Sequence, residues 1–132
     1  MTAQVCSGRV PTEVRPLVSR IAVVYLYVRD VDRSCRFYRD LLGIPLDGDE
    51  QWVEATLPGG VRFALHRVHD GVGELSSGTV HVDLQVEDAS AAAERLRAAG
   101  VEVRETMRED WGTAVEVLDP DGYRLYLLEP AG

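Results

Sequence analysis

The sequence predicts an α+β fold in which two β-α-β-β-β repeats form a curved mixed sheet. Two pairs of segments match one another: Val28–Gly43 with Val86–Gly100, and Pro58–Leu65 with Pro120–Leu127. The register within each pair is constant, with Asp30 aligned to Asp88 in the first and Pro58 aligned to Pro120 in the second. Self-similarity at a fixed spacing indicates a duplicated supersecondary unit. Each half also places strand-like, Val-rich residues before a helical pattern and short strands after it.

The first repeat is expected over about residues 20–68. Its first strand, Arg20–Val28, is rich in Val, Ile and Tyr, which favour strands. Asp30 or Asp32 can cap the helix that follows, because their side chains accept hydrogen bonds from free backbone N–H groups. Gly43 suits the left-handed position after the helix. Short strands are expected near Ile44–Leu46, Trp52–Leu57 and Val61–Arg67, with Pro58–Gly60 as the turn between the last two.

The second repeat is expected over about residues 79–130, after a linker rich in glycine and serine, His69–Gly78. Its first strand is Thr79–Val86, and Asp88 caps its helix. Later strands are expected near Val101–Arg104, Ala114–Leu118 and Tyr123–Glu129. Residues 1–19 contain two prolines and are interpreted as an irregular leader, so that residues 20–132 form a single domain.

Composition excludes several functional classes. The net charge of −8 argues against nucleic acid, because phosphate binding needs a basic face. No apolar run approaches the roughly 20 residues that span a bilayer, and residues 1–20 lack the apolar core of a secretory signal. We therefore expect a cytoplasmic protein without a membrane partner. A bridge between Cys6 and Cys35 is possible, but Cys35 as a small buried residue is the preferred interpretation.

Strand alternation assigns two faces to the sheet, because successive side chains point to opposite sides. One row is wholly apolar and is predicted to pack under the helices: Val24, Leu26, Val28, Val82, Leu84 and Val86. The opposite face mixes aromatic and polar side chains: Val23, Tyr25, Tyr27, Trp52, Glu54, Arg62, Ala64, His66, His81, Asp83, Gln85, Glu116, Arg124 and Tyr126. A concave face of this composition is typical of a ligand cleft.

Two stretches resemble the vicinal oxygen chelate superfamily, which includes glyoxalase I, bleomycin-resistance proteins and extradiol dioxygenases. Val28–Gly43 is similar to the strand-to-helix signature of that superfamily, with its aspartate, serine, Phe-Tyr pair and Leu-Gly. Asp119–Tyr123 is similar to its late Asp-Pro-Asp-Gly turn. With His81 on its strand, the resemblance covers about residues 20–130. It implies the glyoxalase/bleomycin-resistance fold but no single reaction, because the scaffold supports many chemistries.

The resemblance also implies four metal-ligand positions, one on the first and one on the last strand of each repeat. They map onto Val23, Ala64, His81 and Tyr126. Valine and alanine cannot coordinate, and a tyrosine phenol is a poor ligand for Zn, Mn or Ni. Because one histidine does not hold a divalent ion, we expect no cofactor. A rebuilt divalent metal site (Zn, Mn, Ni or Fe) remains the alternative, and four further side chains on this face are available to it: Glu54, His66, Asp83 and Glu116.

The leading hypothesis is a metal-free protein that sequesters an aromatic or peptide-like compound, such as an antibiotic, in the manner of the bleomycin-resistance proteins. The resemblance implies a homodimer, since single-module members build their clefts from paired units. No catalytic residue is assigned. The candidate ligand-binding residues are Tyr25, Tyr27, Trp52, Glu54, His66, His81, Asp83, Trp111, Glu116 and Tyr126.

Two enzymatic alternatives stay open. One is a metal-dependent glyoxalase-like lyase, isomerase or dioxygenase with Glu54 or Glu116 as base. The other is a metal-free enzyme that uses Asp83, Glu54 or His81 as acid or base. Arg62 and Arg124 occupy equivalent positions in the repeats, where they either clamp an anion or, as we prefer, pair with the glutamates of a neighbouring strand.

Overall fold

The computed structural model describes residues 8–9, 20–75 and 82–132. In this part of the chain, each half forms its own four-stranded mixed sheet, with strand orders β1-β4-β3-β2 and β5-β8-β7-β6. The strands are β1 Val23–Val28, β2 Asp47–Gly48, β3 Trp52–Thr56, β4 Arg62–Arg67, β5 Val82–Gln85, β6 Val103–Glu109, β7 Gly112–Leu118 and β8 Arg124–Pro130. The helices are α1 Val31–Cys35, continued by a π-helical stretch Arg36–Leu41, and α2 Ala89–Ala98. The equivalent strand orders confirm the predicted α+β class with two β-α-β-β-β units.

Both helices begin where the sequence predicts. The Asp30 carboxylate accepts a hydrogen bond from the Arg33 N–H at 3.1 Å, and the Asp88 carboxylate accepts one from the Ala91 N–H at 3.0 Å. Each aspartate therefore satisfies one of the free N–H groups at a helix start. Of the two caps considered for the first helix, the structure selects Asp30.

The helix of the first repeat is longer by one position than its counterpart. The segment from its cap, Asp30, to its closing glycine, Gly43, is one residue longer than the segment from Asp88 to Gly100 in the second repeat. The repeat spacing is therefore not constant within the block, contrary to the sequence prediction. The π-helical stretch Arg36–Leu41 absorbs the difference, because a π turn holds an extra residue while the helix keeps its direction.

The second strand of the first repeat lies later in the chain than the sequence predicts. Strand β2 covers Asp47–Gly48 rather than 44–46. Ile44 and Leu46 are apolar because they are buried in the core, and the Leu46 N–H donates to the Ile44 carbonyl in a tight turn. Apolar alternation over this short stretch therefore reflected burial, not pairing.

A single cluster of buried side chains spans both halves. Most of the apolar row behaves as predicted, since Leu26 and Val28 are buried and Leu84 packs against the cluster. Val24 does not, because its side chain is 37% exposed on the edge strand β1. Cys35 is a free, buried thiol, as the preferred interpretation expects.

The two halves are joined through the turn between β7 and β8, residues 119–122, hereafter the Asp119 turn. The buried Asp119 carboxylate accepts a hydrogen bond from the Tyr38 hydroxyl at 2.7 Å. Its other oxygen accepts from the N–H groups of Asp121 and Tyr123, both at 2.8 Å. The Tyr123 hydroxyl in turn donates to the Tyr27 carbonyl on β1 at 2.8 Å. These contacts between distant parts of the sequence lock the second repeat onto the first.

Charge reinforces this contact. The Asp121 side chain is inaccessible to solvent and pairs with Arg29 at 2.9 Å and Arg33 at 2.8 Å. Burial raises the pKa of the Asp119 carboxyl, although hydrogen bonds from Tyr38 and two backbone N–H groups oppose that effect. Burial, followed by the charge of Asp119, also raises the pKa of the Tyr38 phenol well above its usual value. The phenol therefore stays protonated and can act as donor.

The interpretation of residues 1–19 as a leader falls almost entirely outside the described residues, as do Cys6, His81 and the start of the strand predicted at Thr79. No helix in the described ranges is long and apolar enough to cross a membrane.

Candidate functional site

Five rings meet on the outer face of the first sheet and form a surface that we call the aromatic wall. Its members are Tyr25, Tyr27, Trp52, His66 and His69. The ring centroids of Tyr25 and Trp52 are 5.2 Å apart, and those of Tyr27 and His66 are 5.3 Å apart. These separations lie in the range of favourable aromatic contacts. All of these residues except His69 were predicted to bind ligand.

Strand register brings these rings together. Tyr27 on β1, His66 on β4 and Trp52 on β3 are direct neighbours across the sheet, so their side chains share one face. An aspartate fixes the start of β3: the Asp49 carboxylate accepts hydrogen bonds from the N–H groups of Gln51 and Trp52 at 2.8 and 3.0 Å. These two bonds lower the pKa of Asp49, so the turn is held by a charged acceptor at neutral pH.

Glu54 orients the largest ring of the wall. Its carboxylate accepts a hydrogen bond from the Trp52 indole N–H at 2.7 Å and pairs with Arg62 at 3.3 Å. Tyr25 and Glu54 flank Ala64 on neighbouring strands. The indole can therefore present its face to a ligand without leaving its N–H unpaired.

The arginine pairs follow the preferred prediction. Arg62 pairs with Glu54, and Arg124 pairs with Glu116 at 3.7 Å. All four groups are part of the outer faces, and each arginine has a carboxylate on the adjacent strand. An anion clamp would have to compete with these internal partners.

Two histidines complete the aromatic wall. His69, which the sequence places in the linker, contacts Tyr27 with ring centroids 5.6 Å apart. Its Nδ1 accepts a hydrogen bond from the Gly71 N–H at 3.2 Å, which assigns the ring proton to Nε2 in the neutral form. The Nδ1 of His66 is buried and has no hydrogen-bond partner among the described residues. A hydrogen bond with Tyr25, followed by burial, raises the pKa of the neighbouring Tyr27 phenol.

The outer face of the second sheet has a different character. Asp83, Tyr126 and Glu116 are neighbours across β5, β8 and β7, at positions equivalent to Tyr25, Ala64 and Glu54. The next row holds Gln85, Leu128 and Ala114 where the first sheet has Tyr27, His66 and Trp52. The second face thus has one polar, acidic row, and its other row lacks the rings of the first face. His81, predicted for this face, lies outside the described residues.

Trp111 stands apart from the other candidates. Its side chain is 51% exposed at the turn between β6 and β7. Among the described residues it makes no ring contact with the aromatic wall. The Trp111 carbonyl instead accepts a hydrogen bond from the Ala131 N–H, which fixes the turn.

The four positions implied for a metal do not fit one. Val23 and Ala64 carry no donor atom, and Ala64 is fully buried. Tyr126 offers only a phenol, and His81 is outside the described part of the chain. Within the described ranges, no three His, Cys, Asp or Glu side chains are grouped to hold an ion. The donor set at these positions is too poor for Zn, Mn, Ni or Fe.

A family model for the glyoxalase/bleomycin resistance protein/dioxygenase superfamily matches residues 20–127. The chain belongs to this superfamily. It is the vicinal oxygen chelate superfamily that the sequence motifs resemble, so that resemblance is confirmed.

Curated relatives in the superfamily include enzymes. The chain is 33% identical over 118 residues to a lactoylglutathione lyase of Haemophilus influenzae, covering 79% of this chain and 87% of that protein. It is 32% identical over 116 residues to a probable lactoylglutathione lyase of Synechocystis, covering 77% and 88%.

Solved structures in the superfamily include a binding protein. TnmS3, an antibiotic binding protein from Streptomyces sp. CB03234, superposes with a TM-score of 0.72 at 22% identity, over 89% of this chain and all of the other. A glyoxylase/bleomycin resistance protein/dioxygenase domain from Frankia superposes with a TM-score of 0.66 at 27% identity, over 86% and 99%. The first of these likenesses shows the fold alone.

Proposed function

We propose that this protein binds a planar aromatic small molecule without a metal and thereby sequesters it; a binding role is supported by the fold that it shares with TnmS3, an antibiotic binding protein. The observation that carries the proposal is the aromatic wall, which stands where the family's metal positions Val23 and Ala64 offer no donor. Tyr25 is 41% exposed, so the wall is open to a ligand. Each stacked ring pair contributes roughly 0.5–1.5 kcal/mol beyond the burial of apolar area.

The cleft needs a second wall, and we propose that a second copy of the chain supplies it. Strands β1 and β5 are both at the edges of their sheets in the described part of the chain, so apolar side chains beside them are open to contact with a partner chain. Val24 on β1 and Ile21 just before it are 37% and 64% exposed. A homodimer that sets β1 of one copy beside β5 of the other covers them and follows the usual two-fold symmetry.

In such a dimer, the aromatic wall of one copy would lie opposite the row of Asp83, Tyr126 and Glu116 from the second copy. The ligand would then contact rings on one side and hydrogen-bonding groups on the other, which is the usual composition of a ligand pocket.

The test uses the two tryptophans as a matched pair. Bleomycin and 1,4-dihydroxyanthraquinone are titrated against wild type, Trp52→Ala and Trp111→Ala, with calorimetry as the readout. Loss of the stacking ring and its burial in Trp52→Ala should weaken binding of whichever probe binds by about tenfold or more. Trp111→Ala should bind as wild type does. Equal effects of the two substitutions, or no binding of either probe, would contradict the proposal.

A lyase activity is the second candidate, because two curated relatives at 33% and 32% identity are named as lactoylglutathione lyases. It requires a metal site built from residues other than Val23 and Ala64. Formation of lactoylglutathione from methylglyoxal and glutathione is measured with Zn, Mn, Ni or Fe, and again after a chelator. Metal-dependent turnover that His81→Ala abolishes would replace the binding proposal.

A further inference from the structure

The structure contains a cavity of about 470 Å³ between the two halves, away from the aromatic wall. It lies between the end of the first helix, the turn from β3 to β4 and the edge strand β5. Its lining includes Leu42, Ile44, Leu57, Leu84 and Gln85. The volume is within the range of pockets that bind small molecules.

The internal repeat shows what this cavity corresponds to. The register that aligns Pro58 with Pro120 relates Leu57 in the cavity wall to Asp119. The register that aligns the two capping aspartates relates Gln85 to Tyr27. Asp119 and Tyr27 belong to the contact that locks the second repeat onto the first. The cavity is therefore the counterpart of that contact on the other side of the molecule.

The two places differ at the residue that follows each turn. Tyr123 is 8% exposed, and its hydroxyl donates to the Tyr27 carbonyl at 2.8 Å. Its counterpart in the first repeat, in the same register, is Val61, which is 41% exposed. A valine has neither the length nor the hydroxyl to reach the Gln85 carbonyl. The first repeat thus lacks the phenol that Tyr123 places against β1, and the cavity beside its turn is larger than the one of about 320 Å³ that lies beside the Asp119 turn.

The backbone of β5 offers the acceptor that this phenol would need. The Val86 N–H donates to the Leu128 carbonyl of β8 at 2.9 Å. Because neighbouring residues of a strand direct their backbone groups to opposite sides, the Gln85 carbonyl is directed toward the edge of β5 that has no partner strand in the described part of the chain. Tyr27 has the equivalent place on β1 and receives the Tyr123 hydroxyl there.

We propose that this cavity is a second ligand site that binds a small neutral phenol in the place of the missing tyrosine. The ring packs between Leu57 and Leu84, and the hydroxyl donates to the Gln85 carbonyl. The site is independent of the aromatic wall, and its ligand needs no metal. Anionic ligands are disfavoured, since Asp83 is part of the lining and the leucine and isoleucine side chains around it cannot compensate the loss of hydration.

The test uses p-cresol, which has the side-chain structure of tyrosine, and toluene, which lacks the hydroxyl. In a titration followed by amide chemical shifts of the labelled protein, p-cresol should shift the signals of Leu57 and Gln85–Val86. Toluene should bind about fivefold more weakly, because it cannot make the one hydrogen bond. Shifts confined to Tyr25, Tyr27 and Trp52 would overturn the proposal, since p-cresol would then occupy the aromatic wall.

Two variants at one exposed position provide the matched control. Val61→Tyr places a phenol where the repeat predicts it, so it should abolish the p-cresol shifts at Gln85 and raise the melting temperature. Val61→Phe fills the same space without the hydroxyl and should raise the melting temperature less. Unchanged p-cresol binding by Val61→Tyr would overturn the assignment. Trp52→Ala should keep the p-cresol shifts at Gln85, which separates this site from the proposed aromatic cleft.

Discussion

The turns from β3 to β4 and from β7 to β8 have equivalent backbones but different side-chain chemistry. In the first, hereafter the Leu57 turn (residues 57–60), the Leu57 N–H donates to the Val61 carbonyl and the Gly60 N–H to the Leu57 carbonyl. In the second, Asp119 makes the same bond to the Tyr123 carbonyl and receives the same bond from a glycine N–H. The duplicated turn has kept its main-chain hydrogen bonds, and the asymmetry between the two turns lies in their side chains.

The two turns differ in what they contribute: the Asp119 turn stabilises the contact between the repeats, and the Leu57 turn borders the proposed second ligand site. The Asp119 turn supplies a carboxylate and a phenol to the other repeat. The Leu57 turn supplies neither, and the cavity beside it is larger, about 470 Å³ against about 320 Å³ beside the Asp119 turn. One copy of the turn thus holds the halves together, while the other borders the cavity that we propose as a ligand site. Substitutions at equivalent positions should therefore have unequal effects.

Asp119→Ala should have the largest effect. It removes the acceptor for the Tyr38 hydroxyl and for two backbone N–H groups, which should lower the free energy of unfolding by about 3 kcal/mol. The matched substitution Leu57→Ala, at a half-buried position, should cost about 1 kcal/mol. Denaturant unfolding of both variants measures the difference. Equal costs would show that the two turns contribute alike.

Tyr38→Phe should come next. The substitution keeps the buried ring and removes a hydrogen bond to a carboxylate of low accessibility, so we expect a loss of about 2 kcal/mol. Tyr123→Phe removes a bond to an uncharged carbonyl and should cost about 1 kcal/mol. Chemical denaturation measures the loss in free energy of unfolding for both variants. A larger loss for Tyr123→Phe than for Tyr38→Phe would contradict the main role given to Asp119 in joining the repeats.

Asp121→Asn should have a smaller effect, because its partners Arg29 and Arg33 are 56% and 41% exposed. Solvent screens these pairs, and we expect a loss of about 1 kcal/mol that decreases in high salt. The counterpart of Asp121 in the Leu57 turn is Gly59, which has no charge to lose. A cost that is independent of salt would indicate a packing role instead.

The pH dependence of Asp119 should be the smallest effect. Burial raises its folded pKa above the ordinary value of 3.8, so the folded state binds a proton more readily than the unfolded state. This contribution to stability is fully present below the unfolded pKa and is lost as the pH rises through the folded pKa. The stability of wild type minus that of Asp119→Asn should therefore fall as the pH rises from below 3.8 through the folded pKa of Asp119. A difference that rises over this range would contradict the direction of the shift.

Local signals in the sequence predicted local structure well. The caps Asp30 and Asp88 act on N–H groups in the first turn of their own helices, so no tertiary information was needed. Strand alternation also predicted the Glu54–Arg62 pair, because cross-strand neighbours follow from register.

Long-range contacts were harder to predict. Tyr38 and Asp119 are 81 residues apart, and no local sequence pattern predicts the hydrogen bond between them. His69 is part of the aromatic wall, but the sequence predicts only a linker there. Glycine and serine content indicates a loop and gives no information on where a neighbouring ring lies. The π-helical stretch is, by contrast, visible in the sequence. The interval from Gly43 to Gly100 is one residue shorter than the interval from Asp30 to Asp88, so the first helix contains one extra residue.

The π-helical stretch Arg36–Leu41 also has a consequence for how the chain tolerates changes in length. A single residue can be removed there without interrupting the helix, because the shorter segment can return to regular i to i−4 bonding. Deleting a residue from α2, which has no such reserve, would instead rotate every later side chain by about 100° around the axis. The two repeats, alike in fold, should therefore differ sharply in their tolerance of single-residue deletions.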